Sequence, residues 1–93
     1  MRLVKTLKVK NTLGLHIRPA AKIVKLLQNT KCDVYFTYKK ETINAKSIMS
    51  ILMLAAKKNA QIKVTIDGLN AINLMEKLKV NFEKRFGEKN VES

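Results

Sequence analysis

Residues 14–24 read GLHIRPAAKIV and contain the chain's one histidine, His16, and its one proline, Pro19. From Ile17 to Gln28 the apolar residues Ala20, Ile23, Val24 and Leu27 recur at i, i+3, i+4 and i+7, the stripe of an amphipathic helix. Proline is tolerated in such a helix only in the first turn, where its missing N–H has no intrahelical partner to lose. The helix therefore opens at Ile17, and His16 stands at its mouth, behind the flexible Gly14 and two residues ahead of Arg18.

Working outward, residues 3–10 (LVKTLKVK) read as a half-buried strand in which Lys5 departs from the alternation. Asn11–Gly14 is a loop, and Gln28-Asn29-Thr30 closes the helix. Residues 32–38 (CDVYFTY) are β-branched and aromatic and form a second strand. Lys39-Lys40 turns the chain into a short returning strand at 41–44 (ETIN), although no glycine or Asn-Gly pair marks the turn. Residues 47–54 form a short apolar helix with Ser47 as candidate N-cap. At 61–67, Ile62, Val64 and Ile66 alternate with Lys63 and Thr65, and the chain turns again at Asp67-Gly68. Asn70 is placed to cap a last helix that buries Ala71, Leu74, Met75, Leu78 and Phe82, with Phe86 near its end. The order βαββαβα, with one-sided strands and one-sided helices, predicts an α+β domain over residues 1–87. Three helices cover one face of a four-stranded antiparallel sheet, and residues 88–93 form a frayed tail.

Composition bounds the function. The chain has 93 residues, 46% of them hydrophobic, which suits one small folded domain. No apolar run approaches the roughly 20 residues of a membrane helix, and lysines interrupt the N-terminal segment, so neither a membrane span nor a signal peptide is expected. Cys32 is alone and cannot form an internal disulfide, which points to a cytoplasmic protein. The net charge of +12 fits a nucleic acid, an acidic protein partner, or simply many solvated lysines.

The helix mouth carries the chemistry. Its first N–H groups lack intrahelical partners, and with the helix dipole they favour an anion. Arg18 adds a planar cation that can hold two phosphate oxygens. A histidine beside such a site is a nucleophile toward phosphorus, and both the dipole and Arg18 disfavour a charged ring. There is no second histidine, carboxylate cluster or cysteine pair from which to build a triad or metal site, so no cofactor is expected. These parts suit a covalent carrier that takes up a phosphoryl group and hands it on, rather than a hydrolase.

GLHIRPAAKIV resembles the active-site stretch of the HPr family, the histidine-containing phosphocarriers of the bacterial phosphoenolpyruvate-dependent phosphotransferase system, which serves sugar transport. NAKSIMSILML (residues 44–54) resembles that family's regulatory serine region. The likeness spans roughly residues 3–86 with the same order of elements. It implies an open-faced β-sandwich, phosphorylation of His16 on Nδ1 by enzyme I, and delivery to enzyme IIA domains. It further implies that Arg18 stabilises the phosphate. Ser47 matches the serine that HPr kinase/phosphorylase modifies in Gram-positive and some other bacteria. Helix two has more apolar residues than one face can bury: Ile51 and Leu54 suffice for the core, and the likeness makes Ile48, Met49 and Leu52 an exposed docking patch. Arg18, Lys22 and Lys25, at i, i+4 and i+7, form a basic rim for acidic partners. A monomer is expected. Leu13, Ser50, Ala55 and Asn59 stand where the family commonly has a small polar residue or glycines.

The alternative is a small basic nucleic-acid-binding domain. Its support is the charge alone: the lysines are scattered over all elements, and two tyrosines and three phenylalanines offer no clear stacking pair.

Overall fold

Alternation at a period of two builds a four-stranded sheet. The computed structural model describes residues 1–89. Strands β1 (Arg2–Lys8), β2 (Asp33–Tyr38), β3 (Glu41–Asn44) and β4 (Gln61–Asp67) pair antiparallel in the order β1-β4-β2-β3. The register lines up Leu3, Ile66 and Val34 in one row and Lys5, Val64, Phe36 and Ile43 in the next. These rows face the core, where Val34, Phe36, Ile62, Val64 and Ile66 are all buried. Lys5 occupies a core-facing position but lies exposed on edge strand β1, which explains its break in the pattern. An inward-directed charge at a sheet edge also discourages pairing with a foreign strand.

Helices α1 (Ile17–Leu27), α2 (Ile48–Leu54) and α3 (Ala71–Glu83) cover that core. The α1 stripe is buried at Ala20, Ile23 and Leu27, and Val24 is half-buried at its margin. From α3, Ala71, Leu74, Met75, Leu78 and Phe82 are buried, the five residues of the predicted stripe. Phe82 meets Phe36 edge-on at 6.0 Å and Phe86 at 5.1 Å, a chain of rings joining sheet, helix and carboxyl-terminal turn.

The details differ from expectation at identifiable points. β1 ends at Lys8 rather than residue 10, though Val9 N–H still reaches the Ala60 carbonyl at 2.8 Å. Asn70 occupies the N-cap position of α3 with φ of 64° and forms no side-chain cap. Capping geometry needs extended backbone there, and the preceding turn takes Asn70 left-handed, a conformation asparagine tolerates. Ala55 and Asn59 both adopt positive φ (52° and 73°) without glycine, as do both lysines of the β2–β3 turn (49° and 67°). Glu88, placed by the sequence reading in a frayed tail, is instead fixed by side-chain hydrogen bonds. Lys89 is exposed, and residues 90–93 of that tail lie outside the described residues.

Candidate functional site

The loop before α1 is shaped by Gly14. Its φ is 69°, and a Cβ there would fall 2.3 Å from the Ala56 carbonyl oxygen. No other residue allows this approach, which lets Leu15 N–H donate to Ala56 O at 2.9 Å and ties the histidine loop to the end of α2. His16 then serves as the N-cap residue of α1 with extended backbone, but its ring makes no cap hydrogen bond. The ring is thus free of the helix end, with 30% of its side chain exposed. The first-turn N–H groups of Ile17 and Arg18 have no acceptor within the helix, and Pro19 has no N–H to offer. Exposed Arg18 stands beside this opening, where its charge reaches Glu88.

The structure adds two residues that the sequence reading did not single out. His16 Nε2 lies 2.9 Å and 3.1 Å from the two carboxylate oxygens of Glu88. Buried Asn11 holds that carboxylate from the other side: its Nδ2 donates to Glu88 Oε1 at 2.6 Å and to Arg85 O at 2.9 Å. Burial alone raises the proton affinity of Glu88. The hydrogen bonds from Asn11 and His16 and the charges of His16 and Arg18 outweigh it, leaving the carboxyl below its ordinary value. The readable signal was an acidic residue directly after a buried aromatic and a glycine in a strongly basic chain; it was obscured by proximity to the terminus.

The remaining predicted residues divide. Ser47 is the N-cap of α2, with Oγ accepting from Ser50 N–H at 3.2 Å. Met49 and Ile48 are 68% and 36% exposed, and Leu52 is half-buried. Leu13, Ile17 and Met53, not assigned to any patch beforehand, are more exposed still than Ile48. Lys22 is already engaged: its Nζ donates to the Phe86 carbonyl at 2.8 Å. Lys25 is exposed in the last turn of α1, where a cation also favours the helix dipole. Among the described residues, no three histidine, cysteine or carboxylate side chains gather as metal ligands, and no helix is long and apolar enough to cross a membrane.

The decisive observation is a match over residues 3–84 to the sequence pattern of PTS-HPr, described as the PTS HPr component phosphorylation site. The chain belongs to the HPr family. Its relatives include the phosphocarrier protein HPr of Chlamydia pneumoniae, 51% identical over 86% of this chain and 74% of that protein. The HPr of Xylella fastidiosa (strain Temecula1) is 40% identical over 88% and 92% of the two chains. The fold matches a crystal structure of HPr-C-His from Thermoanaerobacter tengcongensis with a TM-score of 0.89 and 30% identity, covering 95% of this chain and 99% of that one. HPr from Bacillus anthracis gives a TM-score of 0.80 at 33% identity, covering 85% and 94%. As an HPr-family member, this is a phosphocarrier-type protein of the phosphotransferase system, with the expected open-faced sheet and three helices.

Proposed function

We propose that His16 accepts a phosphoryl group on Nδ1 from enzyme I and passes it to enzyme IIA domains, in the cytoplasm and without turnover chemistry of its own. One observation carries this reading: the chain's lone imidazole is partly exposed at the uncapped N-terminus of α1. There the first-turn N–H groups and Arg18 can receive phosphoryl oxygens. Exposed Ile48 and Met49, half-buried Leu52 and the cation of Lys25 are the docking residues in this reading. Apolar side chains rimmed by positive charge suit acidic partners.

Incubation with enzyme I and phosphoenolpyruvate, followed by intact-mass measurement, tests the assignment. The mass rises by one acid-labile phosphate in the wild type and stays unchanged in His16→Ala. Arg18→Ala slows the transfer, and Arg18→Lys recovers only part because a point charge lacks the guanidinium fork. An acid-labile phosphate on His16→Ala refutes the site.

Ser47 is the regulatory position in the same reading, as substrate of an HPr kinase/phosphorylase. A phosphate there suits the helix end while placing negative charge beside the docking residues Ile48 and Met49. Ser47→Asp retains a capping oxygen and adds charge, so it keeps stability and slows transfer from enzyme I. Ser47→Ala loses about 1 kcal/mol of stability and transfers normally. Equal transfer by the two proteins leaves Ser47 a cap only.

A further inference from the structure

We propose that Glu88 is a positioning residue for His16: its carboxylate keeps the ring proton on Nε2, so that Nδ1 presents its lone pair to phosphorus. This rests on the phosphocarrier reading above. An ionised carboxylate only accepts hydrogen bonds, so the contact of 2.9 Å requires a proton on Nε2. In the neutral ring that proton leaves Nδ1 bare.

Three observations indicate that the contact is built rather than incidental. First, among the described residues no carboxylate pairs with a lysine or arginine, in a chain that has 19 of them, and the one carboxylate so engaged meets His16 Nε2. Glu88 thus faces the single imidazole although cations abound. Second, its other flank is secured by Asn11, an amide 1% exposed that also holds Arg85 O. Third, the segment delivering it is strained. Arg85–Gly87 form one 3₁₀ turn in which Arg85 and Phe86 carry φ of 56° and 52° without being glycine. Such backbone persists only where the surroundings over-determine it. Here the Lys22 grip on Phe86 O and the packing of Phe86 on Phe82 do so.

The chemistry balances without moving a proton. The Nδ1 lone pair forms the N–P bond while the bond from phosphorus to the donor breaks, its electron pair leaving with the donor. The ring, now bearing both the phosphoryl group and the Nε2 proton, is cationic, and Glu88 lies against that charge. On discharge the N–P pair returns to Nδ1 as phosphorus bonds to the acceptor. Arg18, the other charged side chain at this opening, serves the phosphoryl oxygens rather than the ring nitrogen.

The test combines ring spectroscopy with transfer rates in wild type, Glu88→Gln and Glu88→Ala. As His16 is the one histidine, ¹⁵N-labelled ring signals need no sorting. At mildly alkaline pH the wild type shows a downfield, slowly exchanging proton coupled to Nε2. Glu88→Gln keeps that proton through its amide oxygen and transfers about threefold more slowly; Glu88→Ala loses the protected signal and transfers about tenfold more slowly. Thermal melts establish that the variants are folded. A wild-type ring proton on Nδ1 overturns the proposal, as do equal transfer rates in wild type and Glu88→Ala. So does slowed transfer with unchanged ring signals, which marks Glu88 as merely structural. A wild type that shows the Nε2 proton yet takes up no phosphoryl group overturns the carrier reading instead, and the ring signal separates the two failures.

Discussion

Lys22 of α1 and Phe86 of the carboxyl-terminal turn are joined by a hydrogen bond of 2.8 Å from Nζ to the main-chain oxygen. It bridges residues 64 apart in sequence and gives a surface lysine an internal duty. Lys22→Met keeps the apolar stem and removes the donor. The expected outcome is a loss of about 1 kcal/mol in denaturant unfolding. A residue serving only to meet partners leaves that value unchanged.

The turn between β2 and β3 has two lysines at positive φ, joining the paired ends Tyr38 and Glu41. A two-residue hairpin of this kind favours Asn-Gly. Replacing Lys39-Lys40 by Asn-Gly stabilises the protein by roughly 1 kcal/mol, since a left-handed non-glycine residue costs about 1–2 kcal/mol. Thermal melting checks the gain; an unchanged or lower midpoint contradicts it.

Gly14 offers the opposite case. A Cβ there meets the Ala56 carbonyl and the Lys57 Cα, both main-chain atoms that cannot swing aside. Gly14→Ala is expected to destabilise by roughly 2–4 kcal/mol, combining backbone strain with displacement of the loop. If His16 is the phosphoryl acceptor proposed above, the variant is also expected to take up phosphoryl groups more slowly, because the loop positions His16. Native stability in this variant rejects the contact.

Acid titration addresses Glu88. Its folded value lies below the ordinary 4.5. A carboxyl depressed on folding contributes stability that is present above its unfolded value and lost as pH falls through the folded one. Wild type is therefore more stable than Glu88→Gln near neutrality by a margin that shrinks once pH drops below about 4.5. Unfolding curves at a series of pH values measure the margin; one that is constant into strong acid denies the depression.

The strands and helices were legible because their periods are carried by residues that are in fact buried, such as Ile62, Val64 and Ile66 or Leu74, Leu78 and Phe82. The placement of His16 and Arg18 at the start of α1 was legible because a proline in a first turn locates the helix mouth. Glu88 and Asn11 were not, because their relation joins positions 77 apart and depends on a left-handed turn formed by arginine and phenylalanine, residues that do not advertise one. The cap at Asn70 failed for a related reason: residue type suggested it, while the backbone angle decided otherwise.

Strand β1 separates Met1 from Glu88 in a way that matters for handling the protein. Its first residues lie by the Gly68 turn, where Gly68 N–H donates to Met1 O at 2.8 Å, and its far end leads through Asn11 to Glu88 and the imidazole. Seven residues of strand span about 23 Å at roughly 3.3 Å per residue. A fluorophore or affinity tag joined at Met1 therefore stands well clear of the imidazole, whereas one joined immediately after Glu88 crowds it. Binding assays with amino-terminal labels will therefore report the native surface around the ring, and a bulky label at position 88 will perturb the ring it is meant to observe.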